Sequence, residues 1–116
     1  VFVSLHRYPH YPGTGYRSEA NCLNFPLPAE CGEAAYLKTL KEAIDRVDLD
    51  RVEVVAVSAG FDTFAGDLAS LGLRVESFVE IGRIIADIGK PTFFVLEGGY
   101  VGENIGRAVD AMLRSF

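Results

Sequence analysis

Cysteine is scarce: Cys22 and Cys31 are the only two among 116 residues, and they form no CxxC pair. That excludes a disulfide scaffold and leaves a zinc knuckle unsupported. It fits a reducing, cytosolic compartment. No apolar run approaches the roughly 18 residues that a membrane-spanning helix needs, so no membrane partner is expected. Positive charge is also short. Eleven Lys and Arg face sixteen Asp and Glu, for a net charge of -5. A surface built to neutralise phosphates is therefore not expected, which excludes nucleic acid as a partner. Gly13-Thr14-Gly15 is not followed by Gly-Lys-Ser/Thr, and no strand leads into GxGxxG, so a phosphate loop is lacking. No internal repeat and no low-complexity tract interrupts the sequence. The chain opens Val1-Phe2-Val3-Ser4-Leu5, which reads as a buried strand already under way, and hence as a cut inside a larger protein.

What is present is ordinary globular material, 49% hydrophobic and 23% charged, enough for one domain over residues 1–116. Residues 1–5 form a β-branched strand. Residues 6–31 hold four of the five prolines and three tyrosines and keep no period, which predicts one long, functional loop. Residues 33–47 predict a helix with Tyr36, Leu37, Leu40, Ala43, Ile44 and Val47 on one face. Residues 52–58 predict a strand covered on both faces, and 63–74 an irregular stretch. A second helix is expected over 75–88, ended by Gly89 and Pro91. A third strand is expected over 92–96. The last helix is expected over 103–116, with Ile105, Val109, Met112, Leu113 and Phe116 inward. Such alternation indicates an α/β fold with a parallel sheet.

Ligands in open parallel sheets bind beyond the carboxyl ends of the strands. Three such ends carry Ser4-Leu5-His6, Gly60-Phe61-Asp62 and Gly98-Gly99-Tyr100. An Asp at that place can ligate a metal or orient a base, or else it caps the next segment or binds loop amides. Tyr100 after two glycines either donates to a developing oxyanion or packs on the sheet edge in a plain turn. Taken by itself, the turn is the stronger reading. His6 and His10 share no helix, because Pro9 stands between them and Pro12 follows, so they form no i, i+4 metal pair. Asp67 reads as a solvated or helix-capping carboxylate.

Several stretches share one further property. Val3-Ser4-Leu5-His6, Tyr11-Pro12-Gly13-Thr14-Gly15, Asn24-Phe25-Pro26-Leu27-Pro28, Val57-Ser58-Ala59-Gly60-Phe61-Asp62-Thr63-Phe64, Gly66-Asp67 and Leu96-Glu97-Gly98-Gly99-Tyr100 occur in this order. Together they resemble the carboxyl-terminal part of the histone deacetylase superfamily, which includes acetylpolyamine amidohydrolases and acetoin-utilisation proteins. The resemblance covers essentially the whole chain. It implies an arginase/deacetylase-like three-layer α/β fold with a mostly parallel sheet, of which only the C-terminal portion is here. It implies zinc-dependent hydrolysis of an N-acetyl amide, of the acetyl-lysine or acetylpolyamine type. Asp62 matches a zinc ligand, and Tyr100 the phenol that donates to the acetyl carbonyl. Tyr11 matches the aromatic residue lining the acyl tunnel, and Gly98, Gly99 and Leu68 adjoin the substrate. Ser4 and Leu5 match positions that hold a structural potassium ion, Leu5 through its carbonyl.

The chain also departs from that pattern. No Asp or Glu stands two residues before a histidine, and the tandem histidine pair of the family is missing. Both lie upstream of the matched region. One zinc ligand of the three required is present, so the chain alone is expected to be inactive. The glycine-rich run after Gly15 is shortened to residues 16–22, Leu68 replaces the usual proline, and Arg74 stands where a threonine is common. Two other readings compete with a deacetylase portion. One is a non-catalytic binding or assembly domain that keeps the fold; the other is a small nucleotide-binding domain. An apolar strand edge at residues 1–5 is expected to promote self-association.

Overall fold

Four strands and three helices make up the computed structural model, which describes residues 1–116. The order is β1 (Phe2–Arg7), β2 (Cys22–Leu27), α1 (Gly32–Asp45), β3 (Val55–Ala59), α2 (Val75–Ala86), β4 (Thr92–Leu96) and α3 (Gly102–Ser115). Short 3-10 turns occupy Leu49–Arg51 and Phe61–Thr63. β1 pairs parallel with β2, from Phe2 opposite Cys22 to Arg7 opposite Leu27. β3 pairs parallel with β4, from Val55 opposite Thr92 to Ala59 opposite Leu96, with α2 as the crossover that a parallel pair requires.

The expected long loop contains β2. Leu23, Phe25 and Leu27 alternate along it, but Asn24 and Pro26 occupy the intervening positions and mask a strand. Pro26 is tolerated because β2 is an edge, hydrogen-bonded to β1 alone. A second correction concerns β3. The apolar run starts at Val52, yet the ladder starts at Val55, and Ala56 and Ser58 are exposed while Val57 packs on the core. β4 behaves alike, with Phe93 and Val95 exposed and Phe94 against the core. Only one face of this sheet is covered.

That covered face carries most of the core. α2 contributes Phe78, Ile81 and Ile85, and α3 contributes Ala108 and Met112. The stretch 61–73 is not a surface loop. It buries Phe61, Phe64, Leu71 and Leu73, with the Phe78 ring stacked on Phe64. A fully buried side chain of this size contributes about 1.5–3 kcal/mol. α3 turns Ile105, Val109 and Met112 to the core as expected, with Ala108 beside them, whereas Leu113 and Phe116 are exposed, Phe116 meeting Phe94 edge-on. α1 is anchored at its start. The Ser77 hydroxyl donates to Glu33 (2.7 Å) and accepts from the Arg74 backbone N–H (3.0 Å), tying α1 to the first turn of α2.

The two strand pairs are separate sheets. Between them lies a cavity of about 650 Å3, lined by residues 1–5 on one side and 51–61 on the other. β1 and β3 each have one edge without a ladder partner. No helix is long and apolar enough to cross a membrane.

Candidate active site

The ends of β3 and β4 are bound to each other beyond the ladder. Glu97 N–H donates to the Ala59 carbonyl (3.0 Å), and Phe61 N–H donates to the Gly98 carbonyl (2.7 Å). This puts Asp62, in the 3-10 turn after β3, directly against the backbone of Gly98. A Cβ at Gly98 would fall 2.5 Å from one carboxylate oxygen of Asp62 and 2.7 Å from the other. Glycine is required there because the carboxylate occupies the space. Gly99 has φ +137°, and a Cβ on it would meet Ile105 at 3.0 Å and Phe61 at 3.2 Å. The glycine pair is thus the surface on which the Asp62 turn rests.

Asp62 is half-buried and has no ion-pair partner; the salt bridges join Lys38 to Glu42, Arg83 to Glu80 and Arg114 to Asp110. Burial pushes its carboxyl above the ordinary carboxylate value, and Asp67 adds to the rise, while a backbone hydrogen bond and His10 oppose it. A carboxylate desolvated without a cation is one that a metal ion would stabilise. It fits the role of a zinc ligand in that respect. A zinc site takes at least three protein ligands, and no three His, Cys, Asp or Glu side chains gather in this chain. Asp62 therefore fits as one member of a set whose other members are not here.

Tyr100 follows the glycine pair. Its side chain is 66% exposed, so the plain turn with a ring packed on the sheet does not occur. Its backbone N–H donates to Asp67 Oδ2 (3.0 Å), and so does that of Val101 (3.2 Å). Asp67 Oδ1 accepts from Leu68 N–H (2.6 Å). Asp67 is thus neither freely solvated nor the cap of its own segment. Partial burial raises its carboxyl, but the N–H donors of Tyr100, Leu68 and Val101 outweigh this and hold it below the ordinary value.

The β1 side is arranged separately. The Ser4 hydroxyl and His6 Nδ1 share a hydrogen bond of 2.9 Å, and the His6 ring lies beneath Gly15 with Nε2 buried and unpartnered. Ser4 and Leu5 line the cavity between the sheets. Tyr11 and Leu68 stand 90% and 65% exposed. The fold thus brings Asp62, Gly98, Gly99 and Tyr100 together, and leaves Ser4, Leu5 and Tyr11 on the other strand pair. His10 is half-buried and, through its effect on the Asp62 carboxyl, weakly opposes the rise that burial causes.

The histone deacetylase domain profile matches residues 1–116. This chain belongs to the histone deacetylase family. It is 30% identical over 132 residues to acetylpolyamine amidohydrolase 2 of Pseudomonas aeruginosa, covering all of this chain and 37% of that protein. It is 36% identical over 125 residues to a probable deacetylase of Methanothermobacter thermautotrophicus, covering 98% of this chain and 38% of the other. The crystal structure of an acetylpolyamine aminohydrolase from Burkholderia pseudomallei matches with a TM-score of 0.86 at 25% identity, over the whole of this chain and 37% of that one. The chain therefore spans little more than a third of the length of these histone deacetylase relatives. The arginase/deacetylase-like three-layer α/β fold, present as a portion, is what the sequence leads one to expect.

Proposed function

We propose that this chain supplies one zinc ligand, Asp62, and the oxyanion donor, Tyr100, to an amidohydrolase that removes the acetyl group from an N-acetylated amine. The observation that carries this reading is the Asp62 carboxylate seated without a cation on the Gly98 backbone, two residues before Tyr100. The relatives named as acetylpolyamine amidohydrolases and deacetylases support the substrate class. When bound, zinc supplies Lewis-acid polarisation of the acetyl carbonyl and a water of lowered pKa. The chain's own residues do the rest of their share. Asp62 offers a desolvated carboxylate oxygen. The Tyr100 hydroxyl donates to the carbonyl oxygen as negative charge develops on it, which is typically worth about 3–4 kcal/mol of barrier. Tyr11 and Leu68 present exposed apolar surface to the stem of the acylated amine, and the Gly98-Gly99 backbone lets it approach.

The remaining zinc ligands and the general base come from outside these 116 residues, so the chain by itself is inactive. The cavity between β1 and β3 is where the completing structure would sit, between two strand edges without partners. Ser4 and Leu5 face it, so a potassium ion held by the Ser4 hydroxyl and the Leu5 carbonyl would take its other ligands from that structure. Two free cysteines fit a reducing, cytosolic setting. The test is acetate release from acetylputrescine and from an acetyl-lysine peptide by the whole protein. Tyr100→Phe should cost about 100- to 1,000-fold in kcat. A whole protein that releases acetate from neither substrate supports the alternative, a binding domain that has kept the fold.

A further inference from the structure

The backbone N–H groups of Tyr100 and Val101 each make one hydrogen bond, and both go to the same side chain, Asp67 Oδ2. Nothing else holds this stretch. Upstream, the Gly98 carbonyl is bound by Phe61 N–H; downstream, the Val101 carbonyl accepts from Asn104 and Ile105. Between those points lie Gly99 at φ +137° and an N-cap residue, Val101, whose side chain makes no capping bond. The Tyr100 side chain is largely exposed.

Asp67 is itself firmly held. Its N–H donates to the carbonyl of Phe64 (3.0 Å), a buried core residue, and its other oxygen accepts from Leu68 N–H. The same segment carries Asp62, whose carbonyl accepts from Ala69 N–H (3.2 Å). One short, core-anchored turn therefore holds Asp62 directly and reaches 33 residues along the chain to hold Tyr100. We infer that Asp67 is a positioning residue, fixing the Tyr100 backbone relative to the Asp62 carboxylate through its hydrogen bonds to the Tyr100 and Val101 N–H groups. This rests on the proposed role of Tyr100 as oxyanion donor. The carboxylate suits the task because it accepts on both oxygens. An amide of the same shape turns one of them into a donor, which faces an N–H and repels it.

The test is a double-mutant cycle in the whole protein, with Asp67→Asn, Tyr100→Phe and the pair, read as kcat and KM for acetylputrescine together with amide hydrogen exchange. Asp67→Asn should lower kcat by about 10- to 100-fold, the usual cost of losing a residue that orients another. KM should stay within about threefold, because an interaction made only in the transition state lowers kcat and not binding. The exchange of the Tyr100 and Val101 amides should accelerate, with amides of α2 unchanged. In the Tyr100→Phe background the second substitution should cost less than about threefold, since its partner is already gone. Full additivity, or an Asp67→Asn enzyme with the kcat of the parent, overturns the inference. So does unchanged exchange at Tyr100. If Tyr100→Phe itself keeps full activity, the oxyanion role is what has failed, and the exchange data still report whether Asp67 holds the turn.

Discussion

The two strand pairs differ in how much of their environment the chain provides. β3 and β4 are backed by α2 and α3, and Phe61, Phe64, Leu71, Leu73, Phe78 and Met112 are buried there. β1 and β2 bury only Leu27. The chemistry follows the same division. Asp62 and Tyr100 sit on the packed pair, the Asp62 carbonyl accepting from Ala69 N–H and the Tyr100 N–H donating to the Asp67 carboxylate. Tyr11, Ser4 and Leu5 sit on the thinly packed pair, where Tyr11 is almost wholly exposed. The backbones that carry the two proposed catalytic groups are thus positioned within these residues. The groups asked to shape the substrate channel depend on structure supplied from elsewhere.

That contrast can be broken in several ways. The largest effect is expected at its hinge. Gly98→Ala places a methyl against the Asp62 carboxylate and should displace it, lowering kcat in the whole protein by at least about 100-fold, as misplacement near 1 Å does. Measured acetate release within threefold of the parent would show that Asp62 is not held by this contact. Next comes stability. Leu71→Ala, at a fully buried site, should cost about 2–5 kcal/mol in denaturant unfolding of the whole protein. Leu23→Ala on half-buried β2 should cost less than half of that, and equal costs would erase the division drawn here. Tyr11→Ala should raise KM by roughly 10-fold with kcat little changed, as loss of uniform binding does. A fall in kcat alone would move Tyr11 into the reacting group.

The smallest effect concerns pH. Asp67 has a folded-state pKa below its ordinary value of 3.8. Its charge therefore contributes stability that is present above that value and lost as pH falls through the lower, folded one. Acid titration of the parent and of Asp67→Asn should show a shallower loss of stability for the variant below about pH 4. Identical acid limbs would mean that the backbone donors do not favour the charged form.

The same division explains what could be read from the residues. On the packed side, β4 falls at Thr92–Leu96 as expected, and α2 ends two residues earlier than expected, at Ala86. There the hydrophobic period and the structural period coincide, because neighbours within the chain cover the apolar face. On the other side, β2 was hidden because prolines at positions 26 and 28 look like loop, and its edge position, which excuses them, is a tertiary fact. The expectation that β3 is covered on both faces failed for a related reason: its apolar residues outnumber the partners that these residues provide. Asp62 and Tyr100 stand out as candidates through the Ser-Ala-Gly-Phe-Asp and Glu-Gly-Gly-Tyr motifs. Asp67 does not, because a carboxylate that binds backbone N–H groups 33 residues away leaves no local pattern.

Taken alone, the chain should self-associate through the open edges of β1 and β3, and a monodisperse monomer in sedimentation velocity would contradict this.

The measurement that goes most directly to the central claim is zinc content. The whole protein, purified in parallel with Asp62→Ala, should carry about one zinc per chain, and the variant should lose most of it while keeping its far-UV circular dichroism, since three protein ligands are the minimum for such a site. Equal zinc in both, or none in either, would contradict the assignment of Asp62 as a ligand.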